Sequence, residues 1–124
     1  MRVADTAAWC RWGRWESIHG IIRAELRLRS PAEGGRMTAM PGKGILRPLW
    51  DIGQHTAAGE PGLRVARVWV EHAPELAPRV TGSVRLAPLV PAGWQSCRPG
   101  QAITMHEGVP AVGTGTIVEV VNPP

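Results

Sequence analysis

Residues 21–29 read Ile-Ile-Arg-Ala-Glu-Leu-Arg-Leu-Arg, and this stretch decides the fold class. From Ile22 to Leu28 every second residue is apolar, and the residues between them are charged. Successive side chains of a β-strand point to opposite faces, so this spacing puts all the apolar side chains on one face. The stretch therefore predicts a β-strand that is buried on one side and solvated on the other.

Five further stretches have the length of strands and are bounded by glycine, proline or polar turn residues. They span residues 45–52, 63–70, 82–90, 102–105 and 109–121. Pro48 cannot donate to a strand ladder, so we expect it at an edge, a bulge or a bend. The alternation of the third predicted strand slips near Arg67, which predicts a bulge there. In the fourth predicted strand, we expect Val84 and Leu86 to point inward.

The six predicted strands indicate an all-β fold, either a small antiparallel barrel or a sandwich. The 15 glycines and 12 prolines among the 124 residues break the chain into short segments, which favours strands and turns over long helices. We predict the barrel, of about six strands, because closing a sheet removes most of its exposed edges. The predicted barrel domain covers residues 18–124.

The amino-terminal segment, residues 1–17, differs from the rest of the chain. Trp9, Trp12 and Trp15 recur at every third position and arginines stand between them. We interpret this segment as a disordered leader. The alternative is a helix with a rough aromatic stripe, which would dock on the domain, on a membrane surface or on RNA.

The overall composition excludes several classes of protein. Apolar residues make up 44% and charged residues 19%, which is typical of a globular chain. No stretch approaches the roughly 20 apolar residues that a membrane span needs, and the amino terminus lacks the apolar run of a signal peptide. We therefore expect a cytoplasmic protein with no membrane partner. The net charge of +4 permits weak attraction to phosphate but does not by itself identify a nucleic-acid partner.

Several short motifs occur in an order that matches a known family. They are Ala24-Glu25-Leu26, the run Glu-Gly-Gly-Arg-Met-Thr at 33–38, Gly44, Arg47-Pro48, Pro99-Gly100, Glu107-Gly108, and the run Val-Gly-Thr-Gly-Thr-Ile-Val at 112–118. Together they resemble the opening and closing segments of the third, carboxy-terminal β-barrel domain of elongation factor Tu, over roughly residues 21–121. The resemblance implies the same fold in a shortened, freestanding form.

The resemblance also implies a function in translation, because the family's third domain contacts aminoacyl-tRNA and protein partners. On that analogy Arg36 contacts a phosphate, while Thr38, Gly113 and Gly115 allow a close approach of the backbone. The alternative for these residues is a solvated turn arginine and glycines that serve barrel curvature. Arg47 is a candidate for binding a phosphate or a carboxylate, and its alternative is an ion pair within the domain, for instance with Asp51.

The sequence departs from the family in ways that limit the analogy. Only residues 101–106 remain where the family has a long hairpin, so the barrel is expected to be partly open. An open edge would allow strand addition by a partner or a homodimer. Leu46, His106 and Pro110 replace a tyrosine and two arginines of the family. No phosphate-binding loop of a GTPase is present, so we expect no binding or hydrolysis of GTP.

The sequence contains no recognisable catalytic or metal-binding constellation. His55 and His72 lie in predicted loops, and neighbouring side chains at His106 and Glu107 should point to opposite faces of a strand. We therefore expect no catalytic residue, no metal and no cofactor, and we predict a non-catalytic module that binds a translation protein or tRNA. Two alternatives stay open: a small-ligand or metal-binding β-barrel enzyme that uses one of these histidines, and a homodimeric assembly domain.

Overall fold

The computed structural model of the protein describes residues 20–108 and 110–121, so the predictions for residues 1–17 lie outside the described residues. Strands make up most of the regular structure in these ranges. The strands are β1 (Ile21–Leu28), β2 (Met40–Pro41), β3 (Leu49–Asp51), β4 (Arg64–Val70), β5 (Glu75–Leu76), β6 (Thr81–Pro88), β7 (Ala102–His106) and β8 (Ala111–Val121). Two short 3₁₀ helices span Pro31–Glu33 and Pro91–Trp94. Within the described ranges, no helix is long and apolar enough to cross a membrane.

Six of these strands form a closed antiparallel barrel in the order β1-β6-β4-β3-β7-β8, while β2 and β5 pair with each other. The predicted fold class, an all-β small antiparallel barrel of about six strands, is confirmed. The predicted open edge is wrong for this barrel. The long strand β8 pairs with β7 on one side and with β1 on the other, so the short segment that replaces the family's hairpin is enough to close the sheet. The homodimer is predicted through this open edge, which the closed barrel does not offer. Homodimeric assembly itself stays a prediction.

Two local predictions about the strands are also wrong. The second predicted strand shortens to β3, which begins at Leu49 directly after Pro48. The bulge expected near Arg67 is absent from the pairing of β4 with β6, which keeps one register from Ala66 to Val70. The apparent slip arises because Trp69 lies on the outer side of β4, where Gly44 packs against its ring.

The barrel interior is filled by apolar side chains from all six strands. Val84 and Leu86 are buried, as predicted. Trp50 on β3 is fully buried, and its indole Nε1 donates a hydrogen bond to the carbonyl oxygen of Ala66 at 3.2 Å. Trp94 is also buried. Because the chain has no phenylalanine or tyrosine, tryptophan supplies the aromatic bulk of the core.

An ion-pair network on the outside of the barrel joins three strands to the loop after β4. The carboxylate of Glu71 accepts from Arg23 at 3.2 Å and from Arg85 at 3.1 Å, and the side chains of Glu71 and Arg85 are less than a tenth exposed. Glu119 adds a more exposed contact to Arg23 at 3.2 Å. Desolvation is the largest single influence on Arg23 and opposes its charge, but the attraction and hydrogen bonds of Glu71 and Glu119 together outweigh it, so the pKa of Arg23 lies above its ordinary value.

Candidate functional site

The direction of the strands gathers the predicted binding residues at one end of the barrel. Neighbouring barrel strands are antiparallel, so the connections from β1 to β3, from β4 to β6 and from β7 to β8 all lie at the same end. Arg36, Thr38 and Arg47 belong to the first of these connections. Gly113 lies near the start of β8 at this end, and Gly115 lies two residues further along the strand.

A tight turn fixes the backbone just before Arg36. The hydroxyl of Ser30 accepts from the Glu33 N–H at 3.3 Å, and the carboxylate of Glu33 accepts from the Ser30 N–H at 2.9 Å. This reciprocal capping box pairs the backbone N–H groups of Ser30 and Glu33 at the start of the first 3₁₀ helix. The backbone hydrogen bond from Ser30 also lowers the pKa of Glu33. Gly34 then adopts a left-handed conformation with φ of 91°, which turns the chain toward Arg36.

Gly35 lets this turn pack directly against the end of β1. A Cβ atom on Gly35 would overlap the carbonyl group of Arg29, and that backbone cannot move away without disturbing the barrel. We therefore expect Gly35→Ala to lower the free energy of unfolding by about 1–3 kcal/mol, the usual cost of overpacking, measured by urea denaturation. Gly62→Ala is the matched control, because its Cβ would lie at least 3.5 Å from the nearest atoms. Equal stability of the two variants would contradict this role of Gly35.

The side chain of Arg36 is bonded to a residue of a second loop and is not simply exposed to solvent. Its Nη1 donates to Oε2 of Glu107 at 2.5 Å, and its Nε donates to the carbonyl oxygen of Thr38 at 3.3 Å. The side chain of Arg36 is 17% exposed and that of Glu107 is 32% exposed. The pair joins residues 71 positions apart, so it links the β1–β3 connection to the turn that follows β7.

A cleft of about 280 Å³ lies beside this ion pair, between the residues leading into β3 and the end of β7. Its lining residues are Leu46, Arg47, Pro48, Leu49, His106, Glu107 and Gly108. The two walls are fixed relative to each other because Leu49 pairs with His106 in the β3–β7 ladder. His106 is oriented by Thr104, whose Oγ1 lies 3.1 Å from the ring Nε2.

The charge of the cleft comes mainly from Arg47. This side chain is exposed, and among the described residues no carboxylate lies within ion-pair distance of it. The suggested pair with Asp51 is not formed, since that carboxylate instead accepts from the backbone N–H of Gly53 at 2.9 Å. Arg36 and Glu107 neutralise each other, so Arg47 leaves the cleft with a positive charge. Such a cleft attracts phosphate or carboxylate groups.

The two glycines of β8 face the interior of the barrel instead of this cleft. A Cβ on Gly113 would lie 3.2 Å from the carbonyl oxygen of Arg27, and one on Gly115 would lie 2.8 Å from that of Glu25. The backbone that approaches them is therefore strand β1 of the same barrel. This contact accounts for the small residues without a ligand.

The other polar candidates do not assemble into a site. Within residues 20–108 and 110–121, no three His, Cys, Asp or Glu side chains come together as metal ligands would. His55 lies in the β3–β4 connection, at the opposite end of the barrel from the cleft. Cys97 is a buried free thiol, and burial raises its pKa, which disfavours the nucleophilic thiolate.

Glu107 is the residue whose part in the site the sequence did not predict. It occurs in the Glu107-Gly108 motif, but nothing in the sequence ties that motif to the loop of Arg36. A scan against protein-family models and a search of curated proteins found no match to this chain. The likeness to the third domain of elongation factor Tu therefore rests on the sequence motifs, because a six-stranded barrel does not by itself identify that domain.

Proposed function

We propose that this chain is a non-catalytic binding module that resembles the carboxy-terminal domain of elongation factor Tu in its role, and that it binds tRNA or a protein of the translation machinery at the cleft. The observation that carries the proposal is that Arg47, an arginine selected from sequence, lines the cleft, while Arg36, a second such arginine, is bonded to Glu107 in its wall. In this role the protein acts in the cytoplasm and needs no cofactor.

The charges around the cleft support an anionic partner. Arg47 is exposed and unpaired among the described residues, so it can approach a phosphate without first giving up an acidic neighbour. Further basic side chains lie in the connections at the same end of the barrel. They are Arg29, Lys43 and Arg79. Contacts of this kind position a nucleic-acid backbone and carry little sequence information, so we expect binding that weakens as salt is added.

A second candidate function is supported by the cleft itself. Its volume of about 280 Å³ suits a small molecule, and Arg47, His106 and Glu107 supply polar groups around an apolar wall. This candidate predicts saturable binding of a small anionic ligand that tRNA does not displace. The tRNA proposal predicts instead that the cleft is one part of a larger surface.

Binding of labelled tRNA, followed by fluorescence anisotropy at two or more salt concentrations, tests the proposed function. We expect Arg47→Glu to weaken binding at least about tenfold, because it replaces a phosphate contact with a repelling charge. Arg98→Glu is the control. It makes the same change of net charge at an exposed position, in the β6–β7 connection at the other end of the barrel.

Equal losses in the two variants would mean that only net charge matters and would contradict a site at the cleft. A pull-down from cell lysate, with and without RNase, separates the two classes of partner. Recovery of translation proteins after RNase treatment would favour protein binding, and recovery that requires intact RNA would favour tRNA.

A further inference from the structure

The guanidinium group of Arg36 is already bound to an anion in the free protein. The carboxylate of Glu107 contacts Nη1, the terminal nitrogen that a phosphate would also use. The side chain of Arg36 is only 17% exposed, and a phosphate that binds Nη1 competes with this carboxylate. Arg47, which lines the cleft together with Glu107, has no such competitor among the described acidic residues.

The surroundings of the pair are suited to an exchange of anions. Nε of Arg36 donates to the carbonyl oxygen of Thr38, a bond that does not involve Glu107 and keeps the guanidinium group oriented. Glu107 follows the last residue of β7 and precedes Gly108, whose φ of 75° marks a turn. Its side chain is about one-third exposed. The carboxylate can therefore turn toward solvent while Arg36 stays in place.

We infer that Glu107 occupies the place of a phosphate group on Arg36 and limits the affinity of the cleft for phosphate-bearing ligands. The inference rests on the proposed function, in which an RNA phosphate is the group that displaces Glu107. Binding then proceeds in two parts: Arg47 attracts the phosphate backbone, and a phosphate replaces the Glu107 carboxylate on Arg36. Removing the competing charge should tighten binding, although it removes an ion pair from the free protein.

The test compares Glu107→Gln with wild-type protein in the tRNA anisotropy assay. Glutamine keeps the size of the side chain and removes its charge. We expect tRNA to bind about threefold to tenfold more tightly, because binding no longer has to break an ion pair of modest strength. The logarithm of the binding constant should also fall more steeply with the logarithm of salt concentration, by the amount expected for about one more phosphate contact. The control is Glu75→Gln, which removes an exposed carboxylate at the same end of the barrel and should change affinity less than about twofold.

A second measurement reads Arg36 directly and separates the sources of phosphate. The NMR signal of the Arg36 Nε–H is followed while either inorganic phosphate or tRNA is added to each protein. We expect the signal to shift more readily in Glu107→Gln than in wild type for both additions. If the glutamine variant loses its folded spectrum, Glu107→Asp replaces it. Its shorter side chain keeps the charge but weakens the contact with Nη1 of Arg36, so we expect the signal to shift more readily than in wild type.

The outcomes distinguish the two proposals. If wild type and Glu107→Gln bind tRNA equally well, the competition is overturned and the proposed function stands. If neither binds tRNA but phosphate shifts the Arg36 signal only in the variant, the proposed function fails and the competition is supported for small phosphates. If the signal responds to neither addition in either protein, the competition is overturned. Equal tightening in Glu75→Gln would also overturn it.

Discussion

Replacing Glu71 with alanine is expected to lower the free energy of unfolding by about 3–5 kcal/mol. Glu71 is bonded to both Arg23 and Arg85, and Arg85 is only 8% exposed. Without the carboxylate, the guanidinium group of Arg85 stays buried and loses the hydrogen-bonded anion that contacts its Nε at 3.1 Å. Equilibrium denaturation in urea, followed by the fluorescence of the buried tryptophans, measures the loss.

Glu119→Ala provides the control for this prediction. Glu119 contacts the same arginine, Arg23, at the same 3.2 Å distance as Glu71. However, the side chain of Glu119 is 52% exposed, so its ion pair is worth about 1 kcal/mol or less. The contrast between the two variants isolates the effect of burial. Similar losses from both would show that the network is solvated and that Glu71 has no special part in stability.

The strands could be predicted well where apolar and charged residues alternate, as in β1. The pattern of residues 21–29 contains the whole argument for a half-buried strand, and β1 covers Ile21–Leu28. Closure of the barrel could not be predicted in the same way. It depends on β8 reaching both β1 and β7, and a pairing between strands some 90 residues apart leaves no local pattern.

The outer face of β1 shows a related limit of sequence reasoning. The charged residues of this face predict solvation, and this holds for Glu25, which is exposed. Arg23 on the same face instead contacts Glu71, which lies 48 positions away and whose side chain is almost completely buried. A buried ion pair and two solvated charges have the same appearance in a sequence. The two cases can be distinguished only from the path of the loop after β4, which brings Glu71 to Arg23.

The candidate site could be predicted only in part, because some of its contacts join residues that are distant in the sequence. The motifs singled out Arg36 and Arg47, and strand direction explains why both belong to one end of the barrel. The motifs did not predict that Glu107 bonds to Arg36, since this contact depends on how two loops meet above the barrel. The small residues Gly113 and Gly115 did predict a close approach, but the approaching backbone is β1.

The largest expected effect of a core substitution is that of Trp50→Ala, which should lower the free energy of unfolding by about 3–5 kcal/mol. The side chain of Trp50 is fully buried, and its removal leaves a cavity and an unpaired carbonyl at Ala66. Because domains are stable by only about 5–15 kcal/mol, this single change would bring the barrel close to unfolding. Urea denaturation followed by circular dichroism measures the effect without relying on the missing fluorophore.

Trp50→Phe separates packing from hydrogen bonding at this position. Phenylalanine fills most of the same space but has no donor for the Ala66 carbonyl, so we expect a loss of about 1–2 kcal/mol. The neighbouring residue Leu49 lines the cleft and pairs with His106, so loosening β3 should also weaken ligand binding in the alanine variant. A loss below about 1 kcal/mol for Trp50→Ala would show that this side chain is not central to the core. The tRNA affinity of Trp50→Ala should also be compared with that of the wild type at a temperature where the variant is partly unfolded. Equal affinities would place the binding surface away from β3.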